Sequence, residues 1–316
     1  MTSIKGLTLS KEYFEAFGRP MLEEQFPDLL PYLAAGLFGS GSECFGFDDE
    51  VSQDHDFEPG FCLFLPGEDI VSRRTEFLLE RAYAKLPKEF MGFRRLLIQP
   101  AGGPRHGVFR TADFFRDKTG TPDGILSISE WMSIPSQNLA EAVNGEIYCD
   151  NFGEVGTIRS RLRVYPEDIR RKKLAGHLML LAQAGRYNYP RCIRHSETGA
   201  AQLAVYEFVD HAAEIIFLLN QQYRPFYKWM FRALRTLPRL SLNAELMEYL
   251  LTTDNADAMA EEKSSVMEGM TADLVAELAR QHLSEEVCDD PEKHAASVND
   301  GIQDPGLRNA HILAAV

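Results

Sequence analysis

The chain has 316 residues, of which 45% are apolar and 25% are charged, a balance typical of globular proteins. This composition excludes a disordered chain, a fibrous repeat and a small disulfide scaffold. The net charge of −14 is uneven, because residues 241–316 hold 16 acidic against four basic residues while the remainder is close to neutral. So much negative charge disfavours a long nucleic acid as a partner.

The apolar runs, the N-terminus and the cysteines together predict a cytoplasmic location. No apolar run reaches the roughly 20 residues that a membrane-spanning helix needs, so we expect no membrane partner. Residues 1–6 lack the apolar segment of a secretory signal. Five scattered cysteines without a CxxC pair indicate reduced thiols that pack as small apolar residues. They are Cys44, Cys62, Cys149, Cys192 and Cys288.

Up to about residue 155, short apolar runs alternate with turns and with one helical pattern. Apolar runs over residues 61–65, 93–98 and 106–112 predict strands, and the spacing over 68–86 predicts a helix. Strands that alternate with helices are typical of a mixed sheet covered by helices. We therefore expect an α/β domain over residues 1–155.

After residue 155 the apolar spacing becomes helical. Helices are predicted from Pro166 to Gly185 and over 200–220, 225–236, 242–251 and 272–283. The polar, acidic stretch 252–265 is predicted to be a mobile connection. The fold class is thus expected to be α+β, with a helical bundle and an acidic C-terminal region over residues 156–316.

One segment combines a glycine–serine pair with two spaced aspartates. Gly41 and Ser42 follow an apolar run, and after eleven further residues come Asp54, His55 and Asp56. In an extended segment Asp54 and Asp56 point to the same face, where two carboxylates favour a cation such as Mg²⁺. A glycine lets a backbone approach a phosphate closely, and a serine hydroxyl can donate to its oxygens. The alternative is an acidic surface loop.

This segment resembles the G-S…D-x-D signature of the polymerase-beta-type nucleotidyltransferase superfamily. The wider pattern is similar to an uncharacterised bacterial family within it and to minimal and aminoglycoside nucleotidyltransferases. The matching pieces are Gly41–Glu43, Gly46–Asp48, Ser52, Asp54–Asp56, Gly60, Tyr223–Trp229 and Asp304–Arg308. The resemblance implies a nucleotidyltransferase-like mixed sheet followed by a helical bundle. It also implies Mg²⁺ bound by Asp54 and Asp56, with the nucleotide contacted by Gly41 and Ser42.

Superfamily members use a third carboxylate, which this pattern does not assign by itself. Asp113 and Glu146 are candidates, and Asp150 is preferred because aminoglycoside nucleotidyltransferases carry their catalytic glutamate a comparable distance downstream. Asp54, Asp56 and Asp150 are therefore the predicted catalytic residues.

Basic residues on the predicted helix 225–236 form a stripe. Lys228, Arg232 and Arg235 lie at i, i+4 and i+7 on one face. One interpretation is that Lys228 and Arg232 contact a triphosphate or an acceptor anion. The other is a solvated stripe that pairs with the acidic C-terminal region.

Three functional hypotheses follow from these patterns. The first is a Mg²⁺-dependent enzyme that transfers a nucleoside monophosphate from ATP or another NTP to a hydroxyl of a small-molecule or macromolecular acceptor. The second is an inactive nucleotide-binding or interaction module of the same fold. The third is a toxin- or antitoxin-like nucleotidyltransferase that acts on a tRNA or a protein. A homodimer is compatible with each of them.

Overall fold

The computed structural model describes residues 4–51, 57–95 and 105–316. Contacts between Cα atoms divide the chain into two units. The first comprises Met1–Leu126 and Gln137–Arg163, and the second comprises Ser127–Ser136 and Val164–Val316. The domain boundary predicted from the sequence lies at residue 155. The boundary in the structure follows Arg163, and residues 127–136 belong to the second unit.

The fold is α+β, as predicted, with a mixed sheet in the first unit and helices throughout the second. The strands are β1 (Ala34–Leu37), β2 (Cys62–Leu65), β3 (Glu89–Phe90), β4 (Phe93–Arg94), β5 (Gly107–Arg110) and β6 (Glu146–Asp150). The main sheet has the order β5-β2-β1-β6, and β3 pairs with β4 in a separate hairpin. β1 is antiparallel to both β2 and β6, while β2 is parallel to β5.

Helices precede, interrupt and follow these strands in the first unit. They are α1 (Gly6–Tyr13), α2 (Arg19–Gln25), α3 (Arg73–Ala84), α4 (Thr111–Thr119), α6 (Ser136–Val143, whose first residue belongs to the second unit) and α7 (Glu154–Arg161). A π-helix (Phe14–Gly18) joins α1 to α2, and a 3₁₀-helix (Pro27–Tyr32) leads into β1.

Both faces of the central strand β2 are covered, which explains why its sequence is continuously apolar. Leu63 and Leu65 belong to a buried core with residues of α1 and α3. Phe64 lies on the opposite face, where its ring stacks on that of Phe38 with centroids 4.5 Å apart. The strand predicted at 61–65 is thereby confirmed.

The second unit contains the remaining helices. They are α5 (Ile128–Ser133), α8 (Glu167–Ala182), α9 (Tyr189–Arg194), α10 (Thr198–Leu219), α11 (Tyr227–Thr236), α12 (Asn243–Thr252), α13 (Asp257–Arg280), α14 (Pro291–Asp300) and α15 (Pro305–Asn309). The helices predicted from apolar spacing over this half of the chain are confirmed as α8 and α10–α13. None of the helices among the described residues is long and apolar enough to cross a bilayer.

The prediction of a mobile connection over 252–265 is wrong, because most of it is the first part of α13. Lys263 explains why. This lysine is buried, and its Nζ donates hydrogen bonds to Thr253 O (2.7 Å), Asn255 Oδ1 (3.0 Å) and Gln202 Oε1 (3.1 Å). A charged side chain buried with three acceptors fixes the start of α13 against α10.

The five cysteines are free, as predicted. Burial raises the pKa of the Cys44 and Cys62 thiols, so both stay protonated and unreactive at neutral pH.

We expect a Leu63→Ala substitution to lower the free energy of unfolding by about 2–5 kcal/mol, because it opens a cavity in the core against β2. Leu63 is fully buried, whereas Leu78 of α3 is 45% exposed. The matched Leu78→Ala variant should therefore change stability by no more than about 0.5 kcal/mol. Urea unfolding of both variants tests this, and equal losses would contradict the burial of β2.

Candidate functional site

The turn after β1 carries the Gly41–Ser42 pair. Gly39 and Gly41 have φ values of +117° and +137°, in the region that favours glycine. The Asn144 side chain holds the turn, since its Oδ1 accepts from Gly39 N and its Nδ2 donates to Gly39 O, both at 2.8 Å. Ser42 precedes a 3₁₀-helix (Glu43–Phe45) and accepts at its carbonyl oxygen from Phe47 N at 2.9 Å.

The carboxylate of Glu43 lies against Gly41. A Cβ at Gly41 would lie 2.4 Å from Glu43 Oε1, so no larger residue fits there without moving Glu43. Ser42 Oγ donates to Glu43 Oε2 at 3.5 Å, and Arg105 Nη1 lies 3.7 Å from Glu43 Oε1. Gly41 is therefore required by the close approach of a buried, ion-paired carboxylate as well as by its φ.

The sheet register decides which acids share the end of the sheet where Gly41 lies. Leu37, the last residue of β1, pairs with Glu146, and Ala34, the first, pairs with Asp150. β2 begins beside the end of β1, because Cys62 pairs with Gly36. We call this end, after β1 and before β2 and β6, the Gly41 end of the sheet.

Asp150 lies at the opposite end. Its Oδ1 accepts from Gly153 N at 3.0 Å and its Oδ2 from Gly156 N at 2.7 Å, so its carboxylate satisfies backbone donors at the start of α7. The register therefore does not bring Asp150 together with Gly41 and Ser42. Asp113 follows β5 at this far end too, and its Oδ1 accepts from Arg116 Nη1 at 2.6 Å.

Three acidic side chains of the Gly41 end are Glu43, Asp48 and Glu146. Glu146 forms an ion pair with Lys11 of α1. Asp48 is buried, its Oδ2 accepts from Gly6 N at 2.9 Å at the start of α1, and Lys5 Nζ lies 3.6 Å from its Oδ1. Within the described residues, Asp48 Oδ1 has no hydrogen-bond partner. Each of these three carboxylates therefore has a cationic side chain nearby: Arg105 for Glu43, Lys5 for Asp48 and Lys11 for Glu146.

Asp54 and Asp56, with His55 between them, lie outside the described residues. The next residue, Phe57, is described. A Cβ at Gly6 would lie 2.5 Å from Glu43 Cβ and 3.2 Å from Phe57 Cε2, so Phe57 and Glu43 meet at Gly6. Among residues 4–51, 57–95 and 105–316, no three His, Cys, Asp or Glu side chains are grouped to hold a metal ion.

Lys228 and Arg232 are exposed on α11 and belong to the second unit, whereas Gly41 and Ser42 belong to the first. Their neighbour Arg235 pairs with Glu248 of α12, with Nη2 and Oε1 2.6 Å apart. The ion pair of Arg235 with Glu248 agrees with the second interpretation of the basic stripe, in which it pairs with the acidic C-terminal region.

A cluster of ionisable groups in the second unit was missed by the sequence analysis. His177 of α8 and His211 of α10 face each other, with their Nδ1 atoms 3.1 Å apart. On the same side of α10, Arg224 pairs through Nε with Glu214 Oε1 at 2.9 Å and through Nη1 with Asp210 Oδ1 at 2.6 Å. The signal that could have found them was three polar residues (Asp210, His211 and Glu214) inside the otherwise apolar second half of α10, residues 208–219.

Burial shifts the titration of this cluster. It lowers the pKa of His177 well below the ordinary histidine value, with a smaller contribution from His211, and it also lowers the pKa of His211. Burial raises the pKa of Glu214, an effect opposed by Arg224. Both histidines are therefore neutral at neutral pH, and one Nδ1–H donates to the other Nδ1.

The comparison with protein families gave one match. Residues 131–230 match a domain of unknown function, DUF4037. The matched range starts in α5, includes Asp150 and the ionisable cluster, and ends within α11 after Lys228. It contains neither Gly41 and Ser42 nor Asp54 and Asp56. A search of curated proteins found no match.

We expect the stability of the protein to fall on acidification because of the two histidines. A group whose pKa is lower in the folded state contributes stability that is present above the unfolded-state pKa, about 6.5, and lost below it. Between pH 7.5 and 5.5 each histidine can lower the unfolding free energy by up to about 1.4 kcal/mol per pH unit. Urea unfolding at these pH values should show a weaker pH dependence for His177→Gln than for the unmodified protein.

His195→Gln is the matched control, since His195 is exposed in the same unit. It should leave the pH dependence unchanged. Equal slopes in the unmodified protein and in His177→Gln would contradict the burial of a neutral His177.

Proposed function

We propose that the protein is a Mg²⁺-dependent nucleotidyltransferase, which transfers a nucleoside monophosphate from an NTP to a hydroxyl group of an acceptor. The supporting observation is the sheet register. The Gly41–Ser42 turn and Glu146 share one end of the sheet, and Phe57, which follows Asp56 in the sequence, lies beside Glu43 at Gly6. The sequence resemblance assigns the phosphate contact and the metal ligands to this part of the chain.

The donor set of the Gly41 end suits a hard divalent cation. Carboxylate oxygens are the protein ligands that Mg²⁺ prefers, and Glu43, Asp48 and Glu146 supply them among the described residues. Asp48 Oδ1 is buried, has no hydrogen-bond partner in the described ranges and lies 3.6 Å from Lys5 Nζ. Asp54 and Asp56 are the proposed ligands, and Glu146 is proposed as the third carboxylate in place of Asp150.

The residues of the proposed site then have the following roles. Gly41 and Ser42 bind the triphosphate through backbone N–H groups and the Ser42 hydroxyl. Asp54, Asp56 and Glu146 hold Mg²⁺, which when bound neutralises charge on the phosphoryl oxygens. The donor nucleotide is ATP or another NTP.

One observation favours a second candidate, an inactive nucleotide-binding or interaction module. The Glu43 carboxylate lies against Gly41 and brings negative charge to the turn assigned to phosphate. Pyrophosphate release from a panel of NTPs and hydroxyl acceptors separates the candidates, because only the enzyme releases it.

An Asp54→Asn/Asp56→Asn double variant should lose Mg²⁺-dependent NTP binding, with an affinity at least about tenfold weaker, because the metal loses two anionic ligands. Calorimetry with ATP, with and without Mg²⁺, measures this. Glu23→Gln/Glu24→Gln is the matched control, since it removes the same charge from two exposed positions of α2. Identical affinities in the double variant and the control would contradict the proposal.

The two third-acid candidates make opposite predictions. Glu146→Gln should lower pyrophosphate release by about 100-fold while the fold stays intact, because Glu146 is only partly buried and lies at the Gly41 end. Asp150→Asn should instead cost about 1 kcal/mol of stability, because an amide accepts fewer backbone N–H bonds at the start of α7. A loss of turnover in Asp150→Asn alone would reverse the assignment.

A further inference from the structure

A cavity of about 510 Å³ opens within the second unit, a volume in the range of small-molecule binding sites. Its apolar lining includes Leu181, Phe208 and Met267, all buried side chains. Gly185 and Pro190 line it from the segment after α8, and residues of α13 line the other side. No residue of the Gly41 turn or of the ionisable cluster is among the residues that line the cavity.

The wall of this cavity contains an unusual helical segment. Residues Gln183–Asn188 form a π-helix between α8 and α9. Short π-helical turns inside helices occur frequently at functional sites. Gly185 lies within this segment, and a Cβ there would be 2.8 Å from Phe208 Cδ2. The glycine therefore lets the segment approach Phe208 closely and shapes the apolar part of the cavity.

The polar lining carries more negative than positive charge. Arg186 already pairs with Asp290, with Nη1 and Oδ1 3.0 Å apart. Glu268 and Asp289 are exposed at the cavity, and neither forms an ion pair with any residue of the described ranges. A ligand in the cavity therefore meets apolar groups together with two carboxylates that form no ion pair within the described ranges.

We propose that this cavity is a binding site for an amphiphilic amine, a molecule with an apolar body and a protonated amino group. The body would lie against Phe208, Met267 and Leu181, because removing the ligand's own apolar surface from water is favourable. The ammonium group would lie at Glu268 and Asp289. This site is independent of the proposed nucleotidyl transfer, since no residue assigned to that reaction lines the cavity.

Three fluorescent probes that share a dansyl body and differ in the end of their chain test the proposal on the full-length protein. They are dansylcadaverine, which ends in an ammonium group, N-pentyl dansylamide, which is uncharged, and N-dansyl-6-aminohexanoate, which ends in a carboxylate. We expect saturable binding of dansylcadaverine, about tenfold tighter than that of the uncharged probe, since its ammonium group can form ion pairs with two partly exposed carboxylates. The carboxylate probe should bind most weakly.

Two variants place the binding in the cavity. Ala272→Phe fills it from an exposed position of α13 and should abolish binding of every probe. Glu268→Gln/Asp289→Asn should reduce dansylcadaverine to the affinity of the uncharged probe. Glu285→Gln/Glu286→Gln is the matched control, because it removes the same charge from two exposed residues of the same unit that do not line the cavity.

Several results would overturn the proposal. They are no saturable binding of dansylcadaverine, equal affinities for the three probes, and unchanged binding in Ala272→Phe. An equal loss of dansylcadaverine affinity in Glu268→Gln/Asp289→Asn and in the Glu285→Gln/Glu286→Gln control would show a general effect of charge. This result would overturn the proposal as well. Circular dichroism of each variant verifies that the helices are retained.

Discussion

The pairing of β1 with β6 depends on two positions that carry no side chain. A Cβ at Gly36 would lie 2.5 Å from Glu146 O, and one at Gly145 would lie 2.1 Å from Leu37 O. The register between these strands shifts at Ala35/Gly36, where such an irregularity needs a residue that tolerates close backbone approach. Gly145 N also donates to Cys44 O at 2.9 Å, which ties β6 to the segment after Ser42. These glycines therefore permit the antiparallel pairing that places Glu146, and not Asp150, at the Gly41 end.

Most elements of the fold could be predicted from apolar spacing, because their buried faces have regular periods. α10 and β2 are examples, since each buries nearly every apolar side chain that its pattern contains. The spacing extended the helix at 68–86 too far, because Ser72 accepts from Thr75 N and begins α3 one residue later, at Arg73. α13 was missed over its first part because its stability there depends on Lys263, a charged residue whose burial no hydropathy pattern predicts.

The candidate site could be predicted only in part. The Gly41–Ser42 turn was found because a glycine followed by a serine is visible in the sequence, and the structure gives this glycine a positive φ. The sequence does not tell which of the candidate acids lies at the Gly41 end of the sheet, because strand pairing depends on contacts between residues more than a hundred positions apart. The cluster around His177 was missed because its members come from separate elements, namely α8, α10 and the segment before α11.

The ion pairs at the Gly41 end bear on how an acidic protein could bind a polyphosphate. Lys11 pairs with Glu146 and Arg105 with Glu43, so cations and carboxylates are present in matched pairs. In the proposed function these groups exchange partners: carboxylate oxygens bind Mg²⁺ and the cations bind phosphate.

The exchange costs least at Lys11 and Glu146, whose side chains are 49% and 42% exposed, because an exposed ion pair contributes only about 0–1 kcal/mol to stability. Glu43 is 9% exposed, so separating it from Arg105 would leave a buried charge without a partner at a much larger cost. This difference in cost is a physical reason to expect Glu146, and not Glu43, to act as the third carboxylate.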